Sequence, residues 1–569
     1  MKPELPTILL CGLLIALTQP SWARKWTDST GKFSVEAELV EVKDDKAVLK
    51  DTNGKVISLP VARLSETDRR YLESLAESDS QTSNGGVRVF PSFPDAMTEP
   101  PPWNDANTPF DLAEFLKAPL VADNAAPLYL DALREFSPME MLELFPDLSL
   151  EEKKQVHLRN SLRYKEQRRL EDAWEKDPQS VDNAAVDAWL AKYDTGFEKL
   201  AVAQQRPKCM FQTGVSFASP VPHNQVVRQV AWVVEWRTRR DIQRGDLERP
   251  LQDLKMLFRL TRDLRVRGVL VAHFVASAVD GQCCERVRTI LNAPGIDVGH
   301  CDSLLTLLAE HETKAIDAFL EANRAEYILC RQGIHDLQHR TGDFDPKSMR
   351  DELGISGDVT SPLTCLKIIT DSGWDSRQKL VEWTAAAKGA LLPGAWQGGK
   401  MLSDEDYAKE IEALNRYFGS ILALAEQPNV WRMRRAEIEA ALTPSQKPLR
   451  ETTLAGFLVP DAYQRALLGT IRRSKARLRG TQCLVALRHW QLQHADAPPD
   501  LETLVKAAGM PRVPMDPYYD RPLRMGSLAG KPVIYSVGPD GKDDKAQVEW
   551  NFGHDKPGDF IFRLESPPQ

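Results

Sequence analysis

The sequence has no internal run of apolar residues long enough to cross a lipid bilayer. A membrane-spanning helix needs about 20 consecutive apolar residues, and the apolar run from Ile8 to Leu17 is much shorter. Positive charge is also in short supply: 73 Lys and Arg face 81 Asp and Glu, for a net charge of −8. Binding to nucleic acid requires concentrated positive charge. The composition therefore excludes nucleic acid as a general partner, and we expect no membrane span in the mature chain.

One basic stretch departs from this acidic balance. Its five basic residues alternate with apolar residues on a predicted helix: Arg472, Arg473, Lys475, Arg477 and Arg479. Such alternation is typical of a helix with one solvated, charged face. We interpret the stretch as a solvated surface and not as a nucleic-acid site.

The motifs of the common catalytic sites are also missing. There is no G-x-S-x-G elbow, no phosphate-binding loop and no dinucleotide fingerprint. His335 and His339 are spaced as two zinc ligands on one helix, with Asp336 between them, but no strong third ligand follows. The scattered tryptophans, with Trp232 and Trp236 at helical spacing, indicate core packing. These absences favour a protein that is not an enzyme, and a zinc-dependent hydrolase is the alternative.

The first 23 residues have the pattern of a secretory signal peptide. Lys2 precedes the apolar run, Pro20 ends it, and small residues stand at Ser21 and Ala23, where a signal peptidase would cut. We therefore expect an exported protein that is periplasmic, bound to the cell envelope or secreted. Export would permit disulfides, but no C-x-x-C pair is present. Most of the eight cysteines are interpreted as buried thiols, with Cys301 and Cys330 as a candidate pair.

Residues 24–77 show the pattern of a small β-domain. Alternating apolar residues from Phe33 to Leu39 predict a strand, and further strands are expected over 46–50 and 55–59. Asn53-Gly54 supplies the turn between the last two strands. Ser65 would cap a short helix.

The same residues resemble the first homology domain of the Sla endocytic adaptor family. The similarity lies in Trp26, Asp28, Gly31-Lys32-Phe33, the Asn53-Gly54 turn and Leu64-Ser65-Glu66-Thr67-Asp68. It implies an SH3-like barrel that binds short Asn-Pro-Phe-x-Asp peptides. The wider family is associated with adaptor and cytoskeletal functions. The expected partner of residues 24–77 is therefore a protein or a short peptide.

The middle of the chain is predicted to be helical. Residues 78–109 are rich in Pro, Ser and Gly and predict a disordered linker. Residues 110–455 form a helical domain, with a polar break near 340–360 that could divide it in two. Its clearest helices are expected over 223–243, 248–264, 268–292, 299–310 and 313–330, and short connections make neighbouring helices antiparallel. This region resembles uncharacterised exported bacterial proteins, from which no activity follows.

Residues 456–569 are predicted to combine a long helix, about 460–494, with short strands. Pro498-Pro499-Asp500, Pro514-Met515-Asp516-Pro517 and Tyr535-Ser536-Val537-Gly538-Pro539-Asp540-Gly541 resemble the C-terminal half of type II secretion major pseudopilins. The similarity implies a long helix packed on a small antiparallel sheet, and not a pilus subunit. It also implies a calcium site in the last loop, for which the candidate ligands are Asp540, Asp543, Asp544 and Asp559. A turn rich in Asp and Gly is the alternative interpretation.

These observations predict a multi-domain, mainly α protein. Its parts are a small N-terminal SH3-like β-barrel, a large middle domain of helical hairpins and a C-terminal α+β module. The predicted function is a non-catalytic binding or scaffold protein whose N-terminal module takes a peptide or partner protein. A zinc-dependent hydrolase and a structural component of a cell-envelope assembly are the alternatives. Self-association is possible, and it would favour the structural component.

Overall fold

A computed structural model of the chain describes two sets of ranges. Those in the N-terminal half are 24–28, 34–43, 46–51, 55–65, 69, 103, 107–138, 141, 156, 165–174, 176–177 and 181–211. Those that follow are 221–338, 403–427, 430, 433, 435–452, 455, 462–550 and 558–564. The chain forms two compact units, one of residues 1–92 with 362–376 and the other of residues 93–361 with 377–569.

The first unit contains a four-stranded antiparallel meander. Its strands are β1 (Arg24–Thr27), β2 (Ser34–Lys43), β3 (Lys46–Asp51) and β4 (Val56–Pro60), each paired with the next in sequence. The strands expected from Phe33, Lys46 and Lys55 onwards are confirmed, whereas β1 was not predicted. A bulge between Leu39 and Glu41 bends β2. Most of the helix expected after Ser65 lies outside the described residues.

The second unit is mainly helical, which confirms the mainly α part of the predicted fold class. Its first helices are α1 (Leu112–Leu116), α2 (Ala126–Phe136), α3 (Asn183–Ala191), α4 (Asp194–Ala203), α5 (Pro222–Gln243), α6 (Glu248–Arg265) and α7 (Leu270–Leu291). The later ones are α8 (Val298–Thr313), α9 (Ala318–Gln338), α10 (Asp404–Ala425), α11 (Arg435–Glu451), α12 (Ala462–Gln493) and α13 (Leu501–Ala507). None of the helices in the described ranges is apolar over enough of its length to span a membrane.

Helices α5, α6 and α7 pack against one another, whereas α8 packs on α6 and on α12. The expectation that each helix packs on the next therefore holds from α5 to α7 and is wrong for α7 and α8. Gly245 follows the C-cap of α5 with a φ of +76°, and Gly295 lies in the loop after α7 with a φ of +82°. A side chain is strained at such angles, so glycine lets the chain reverse direction at these two positions. Asp297 then caps α8, because its Oδ1 accepts a hydrogen bond from His300 N at 2.9 Å. The predicted boundaries of these helices are confirmed to within a few residues.

Helix α12 belongs to both large hydrophobic cores of the second unit. Its first half contributes Leu467, Leu468 and Ile471 to a core shared with α9, α10 and α11. Its second half joins a core that runs from α2 through α8. Every residue from Thr481 to Leu487 is buried. A helix that is buried on all faces needs cover on every side, and α7, α8 and a C-terminal sheet provide it.

The C-terminal sheet consists of β5 (Arg524–Leu528), β6 (Lys531–Ser536) and β7 (Phe560–Phe562), in that order and antiparallel. It packs on α12 at Gly480. A Cβ atom at this position would lie 2.4 Å from the ring of Phe562, so only glycine lets the strand approach so closely. The arrangement matches the long helix on a small antiparallel sheet that was expected for residues 456–569.

The basic stretch on α12 does not form a solvated face, and that interpretation is wrong. Arg479 Nε lies 2.8 Å from Glu312 Oε1 of α8, and its Nη1 donates to the carbonyl of Met515 at 2.8 Å. The guanidinium of Arg477 lies over the ring of Phe560, 5.7 Å from its centroid. Burial lowers the pKa of Lys475. The long apolar stems of these side chains let them lie between packed layers, with their charged ends on polar partners.

The described cysteines are buried, and no disulfide occurs among them. They are Cys209, Cys283, Cys284, Cys301, Cys330 and Cys483. The interpretation as buried thiols is confirmed, whereas the suggested pair of Cys301 and Cys330 is wrong. Core packing of tryptophan is confirmed at Trp236, whose ring lies 5.9 Å from that of Trp232 and 6.3 Å from that of Trp189.

Candidate functional site

The meander of the first unit is tied together at its two ends. Asp28, which follows β1, forms an antiparallel bridge with Leu64, which follows β4. The backbone N–H of Ser65 donates to the carbonyl of Thr27 at 2.8 Å. Leu64 itself is buried, and a short 3₁₀ turn, Val61–Arg63, leads into it. A backbone bridge and a hydrogen bond therefore join the end of β1 to the residues that follow β4.

This closed meander leaves a set of polar side chains exposed for contact with a partner. The exposed side chains are those of Ser34, Lys46, Lys55, Ser58 and Arg63. Three of the five are basic, and they stand on β3, on β4 or next to β4. A ligand with a carboxylate is the kind that such a surface favours.

The four aspartates predicted to bind calcium lie on or beside one loop of the second unit. Asp543 is engaged, because Tyr535 Oη donates to its Oδ1 at 3.2 Å and Arg524 Nη1 lies 3.3 Å from its Oδ2. Asp540 Oδ1 accepts a hydrogen bond from the backbone N–H of Lys542 at 3.1 Å. Within the described residues, no three His, Cys, Asp or Glu side chains are placed to share a metal ion. The calcium site stays a prediction.

The buried side chain of Asp559 binds the backbone of this loop. Its Oδ2 accepts a hydrogen bond from the backbone N–H of Ala546 at 2.7 Å, and its Oδ1 accepts a longer one from Asp544. Lys545 and Ala546 have φ near +55° and +59°, a conformation that needs such support. Burial and the nearby carboxylates raise the pKa of Asp559, while the two backbone donors oppose the rise. The carboxylate of Asp559 therefore holds the turn from Asp544 to Ala546 in place.

A buried polar cluster joins α6, α7 and α8, and the sequence patterns did not reveal it. Asp280 Oδ1 accepts a hydrogen bond from Thr261 Oγ1 at 2.6 Å, and its Oδ2 accepts one from Arg265 Nη2 at 2.6 Å. His311 Nε2 lies 3.3 Å from the same oxygen. Burial alone raises the pKa of Asp280, but Arg265 and His311 outweigh it and hold that pKa well below its usual range. Both oxygens are occupied, so the cluster fastens three helices together.

A second buried carboxylate, Asp241 near the end of α5, has the opposite environment. Its Oδ2 is buried without a hydrogen-bond partner, and Arg249 Nε lies 3.8 Å away. Burial raises the pKa of Asp241 to about 6, because the distant guanidinium does not replace the lost water. The array of helices thus contains the poorly paired Asp241 beside well-paired aspartates such as Asp280 and Asp253.

The histidines of the hydrolase alternative are only partly described. His335 lies half-buried on α9, which ends at Gln338. His339 lies outside the described residues. No geometry therefore joins the two imidazoles, and the zinc site stays a prediction.

Part of the segment predicted as a disordered linker lies against the second unit. Trp103 is buried, and its Nε1 donates to Gln332 Oε1 at 2.7 Å. Asn415 Nδ2 of α10 donates to the carbonyl of Asn107 at 2.6 Å. Phe110 packs edge-on against Tyr327, with centroids 5.5 Å apart. Apart from residues 103 and 107–109, the predicted linker lies outside the described residues.

The comparisons with known proteins concern the first unit. Residues 16–80 match the protein family described as SLA1 homology domain 1, SHD1. This range contains all four strands of the meander and the bridge that closes it. The match agrees with the resemblance to the Sla adaptor family and supports an adaptor-like, protein-binding role for this segment.

Two relatives match the same part of the chain. One is the "Actin cytoskeleton-regulatory complex protein sla1" of Schizosaccharomyces pombe, 52% identical over 50 residues. The other is the protein of the same name from Sclerotinia sclerotiorum, 41% identical over 56 residues. The aligned residues make up 9% and 10% of this chain but only 4% and 5% of the relatives. No solved structure matches.

The prediction of an exported protein is contradicted by this comparison. The matching relatives are fungal regulators of the actin cytoskeleton, which lies inside the cell. The family match also begins at residue 16, within the segment that was expected to be a cleaved signal. The alternative of a cell-envelope component depended on export and loses its support.

Proposed function

We propose that this protein is a non-catalytic adaptor or scaffold whose N-terminal module, residues 24–77, binds a short peptide or a partner protein. The observation that carries the proposal is the family match over residues 16–80. Domains of this kind in adaptor proteins are not enzymes. The helical unit then serves as the body to which the module is attached.

The geometry of the module supports binding of an acidic peptide. Lys46, Lys55 and Arg63 are exposed on or beside its strands, and positively charged side chains favour a partner that carries carboxylates. We propose an SH3-like barrel for this module and a preference for peptides of the Asn-Pro-Phe-x-Asp type, whose aspartate would face the basic side chains.

The test is fluorescence anisotropy of a labelled Asn-Pro-Phe-x-Asp peptide titrated with the full chain. We expect saturable binding at micromolar protein and none with a scrambled peptide of the same composition. Equal binding of both peptides would show that the interaction is electrostatic only and would overturn the proposed specificity.

A pair of matched variants locates the binding to the module. Leu64→Asp places a charge at the buried closure of the meander and is expected to abolish binding. Val548→Asp adds the same charge at an exposed position of the C-terminal module, and peptide binding should stay unchanged. If Leu64→Asp binds the peptide as well as the unchanged chain does, the site lies elsewhere.

For the remainder of the chain we propose the domain plan given by the sequence. A helical domain spans 110–455, and a pseudopilin-like α+β module spans 456–569. The packing of α12 on β6 and β7 supports the second part of this plan.

Calcium binding near Asp540, Asp543, Asp544 and Asp559 is a separate proposal. Calcium takes six or more oxygen ligands, so the loop would have to release the bonds that Asp543 now makes to Tyr535 and Arg524. Isothermal titration of the full chain with calcium, repeated on Asp543→Asn, tests it. A calorimetric signal that Asp543→Asn does not change would exclude this loop as the site.

A further inference from the structure

Strand β4 lies at one edge of the four-stranded sheet. Within the part of the chain that the structure describes, it pairs with β3 and with no other strand. The opposite edge is covered at one end, where Asp28 after β1 is bridged to Leu64. The described residues of the first unit therefore leave one edge of their sheet open.

The position of Pro60 shows which backbone groups of β4 point away from β3. Antiparallel pairs alternate between those in which the two residues exchange N–H···O bonds and those without such bonds. Pro60 has no N–H, so its pair with Lys46 is of the second kind. The pair of Ser58 with Val48, two positions along the strand, is of the same kind. The N–H and the C=O of Ser58 therefore point outwards from the edge of the sheet.

Basic side chains stand at both ends of this edge. Lys55 directly precedes β4, and Arg63 ends the 3₁₀ turn that follows it. Lys46 lies opposite Pro60, the last residue of β4. These three basic side chains and that of Ser58 in the middle of the strand are exposed. A segment that lay along the edge would pass positive charge at each end, which favours a segment that carries carboxylates.

We propose that β4 is the docking edge of the N-terminal module and that an acidic partner segment binds there in extended form, as an added strand. Strand addition uses main-chain hydrogen bonds for affinity and alternate side chains for specificity. Lysine at a sheet edge opposes pairing with unrelated strands, whereas carboxylates in the partner remove that opposition. The inference rests on the proposed function of residues 24–77 and specifies how the module holds its peptide.

The spacing of an Asn-Pro-Phe-x-Asp segment suits this edge. Alternate residues of a strand direct their backbone groups to the same side. The proline of the segment has no N–H to donate, so its favoured position faces away from β4. The asparagine, the phenylalanine and the aspartate then face β4, and the residue between the last two faces away from it.

N-methylation of single peptide bonds tests this arrangement without changing a side chain. Fluorescence anisotropy compares labelled Asn-Pro-Phe-Ala-Asp peptides titrated with the full chain. N-methylation at phenylalanine removes a donor that faces β4 and should weaken binding at least about tenfold, because an acceptor on β4 is left unpaired. N-methylation at alanine, the matched control, removes a donor that faces solvent and should leave the dissociation constant almost unchanged.

A substitution in β4 tests the same edge from the side of the protein. Ser58→Pro removes the outward N–H of this position and leaves the ladder with β3 intact, because the pair with Val48 is not hydrogen-bonded. It should weaken binding of the unmethylated peptide at least about tenfold. Ser58→Ala keeps the N–H and should bind as the unchanged chain does. Hydrogen exchange in β1 to β3 shows whether the sheet of each variant is folded.

The outcomes separate the docking edge from the proposed function. Binding that both N-methylated peptides retain equally, or lose equally, would overturn the docking edge while the module stays a peptide-binding domain. If the unmethylated peptide does not bind, both proposals are overturned. If Ser58→Pro unfolds the sheet, the comparison of the two N-methylated peptides alone decides.

Discussion

The four-stranded sheet near the start of this chain and the three-stranded sheet near its end differ in what closes them. The first is tied to itself, because Ser65 donates to Thr27 across its two ends. The second is closed by α12, and its strand β7 reaches the helix through the gap at Gly480. Ile534 and Phe562 of this sheet belong to the same core as α2 to α8.

The comparison shows where each sheet finds its support. The ends of the first sheet are bridged to each other, whereas the second sheet depends on the helical array for part of its core. A change in the first sheet should therefore stay within it, and a change in the second should reach α12.

The largest expected effect is the loss of the carboxylate of Asp280. Asp280→Ala leaves Arg265 and His311 buried without their partner and should destabilise the second unit by about 3–5 kcal/mol. Chemical denaturation followed by tryptophan fluorescence measures this loss. Glu198→Ala removes an exposed carboxylate of α4 and should change the unfolding free energy by less than about 0.5 kcal/mol. Equal losses in the two variants would mean that the cluster does not fasten the helices.

The next effect is confined to the first sheet. Leu64→Ala removes a buried side chain at its closure and should cost that unit about 2–4 kcal/mol. Hydrogen exchange should rise across β1 to β4 and stay unchanged in α5 to α8. Exposed Ser58→Ala is the control and should alter neither. A rise in exchange that spreads into the helices would show that the meander is not closed on itself.

A smaller effect is expected where the second sheet meets α12. Gly480→Ala places a methyl group against the ring of Phe562 and should cost about 1–3 kcal/mol, because the strand must shift. Gly469→Ala on the same helix meets open space and should stabilise by up to about 1 kcal/mol. Thermal denaturation of the two variants measures the difference in their stability. A stabilising Gly480→Ala would be incompatible with the close approach described.

The smallest effect concerns pH and the contrast between Asp241 and Asp280. The folded pKa of Asp241, about 6, lies above the value of 3.8 expected when the chain is unfolded. The folded state therefore holds more protons, and this group lowers stability as the pH rises from about 4 to 6. Asp241→Asn should remove that slope and raise stability at pH 7 by about 1 kcal/mol. The measurement is the unfolding free energy of both proteins from pH 4 to pH 7. If Asp241→Asn leaves the pH dependence of stability unchanged, the raised pKa of Asp241 is refuted.

Local patterns predicted most of the helices well. The apolar periodicity and the breaks at Gly245 and Gly295 placed α5 to α8 almost where the structure has them. Helix α9 continues to Gln338, beyond the predicted end at residue 330, because packing against α10 outweighs the cost of Gly333 in its interior. Strand β1 was missed, since its pairing with β2 is a contact between residues distant in sequence.

The sites were harder to predict, for a physical reason. Periodicity shows that a helix has a basic face, but it does not show what covers that face. For this reason Arg477 and Arg479 were assigned to solvent. One sequence signal could have revealed Asp280. It is a charged residue on the same helix face as the small apolar residues Ala276 and Cys283. The packing of residues 103 and 107–110 against α9 and α10 could have been predicted from the two large aromatic residues Trp103 and Phe110.

The contact between Gly480 and Phe562 also sets an order of events during synthesis. The two residues are separated by roughly eighty positions, and ribosomes add about 5–20 residues per second. Helix α12 thus emerges several seconds before the strand that covers one of its sides. During that interval an apolar helix surface is open to chaperones and to other nascent chains. A chain that terminates before β7 would keep this surface of α12 exposed. Cells would recognise the incomplete product by that exposed surface.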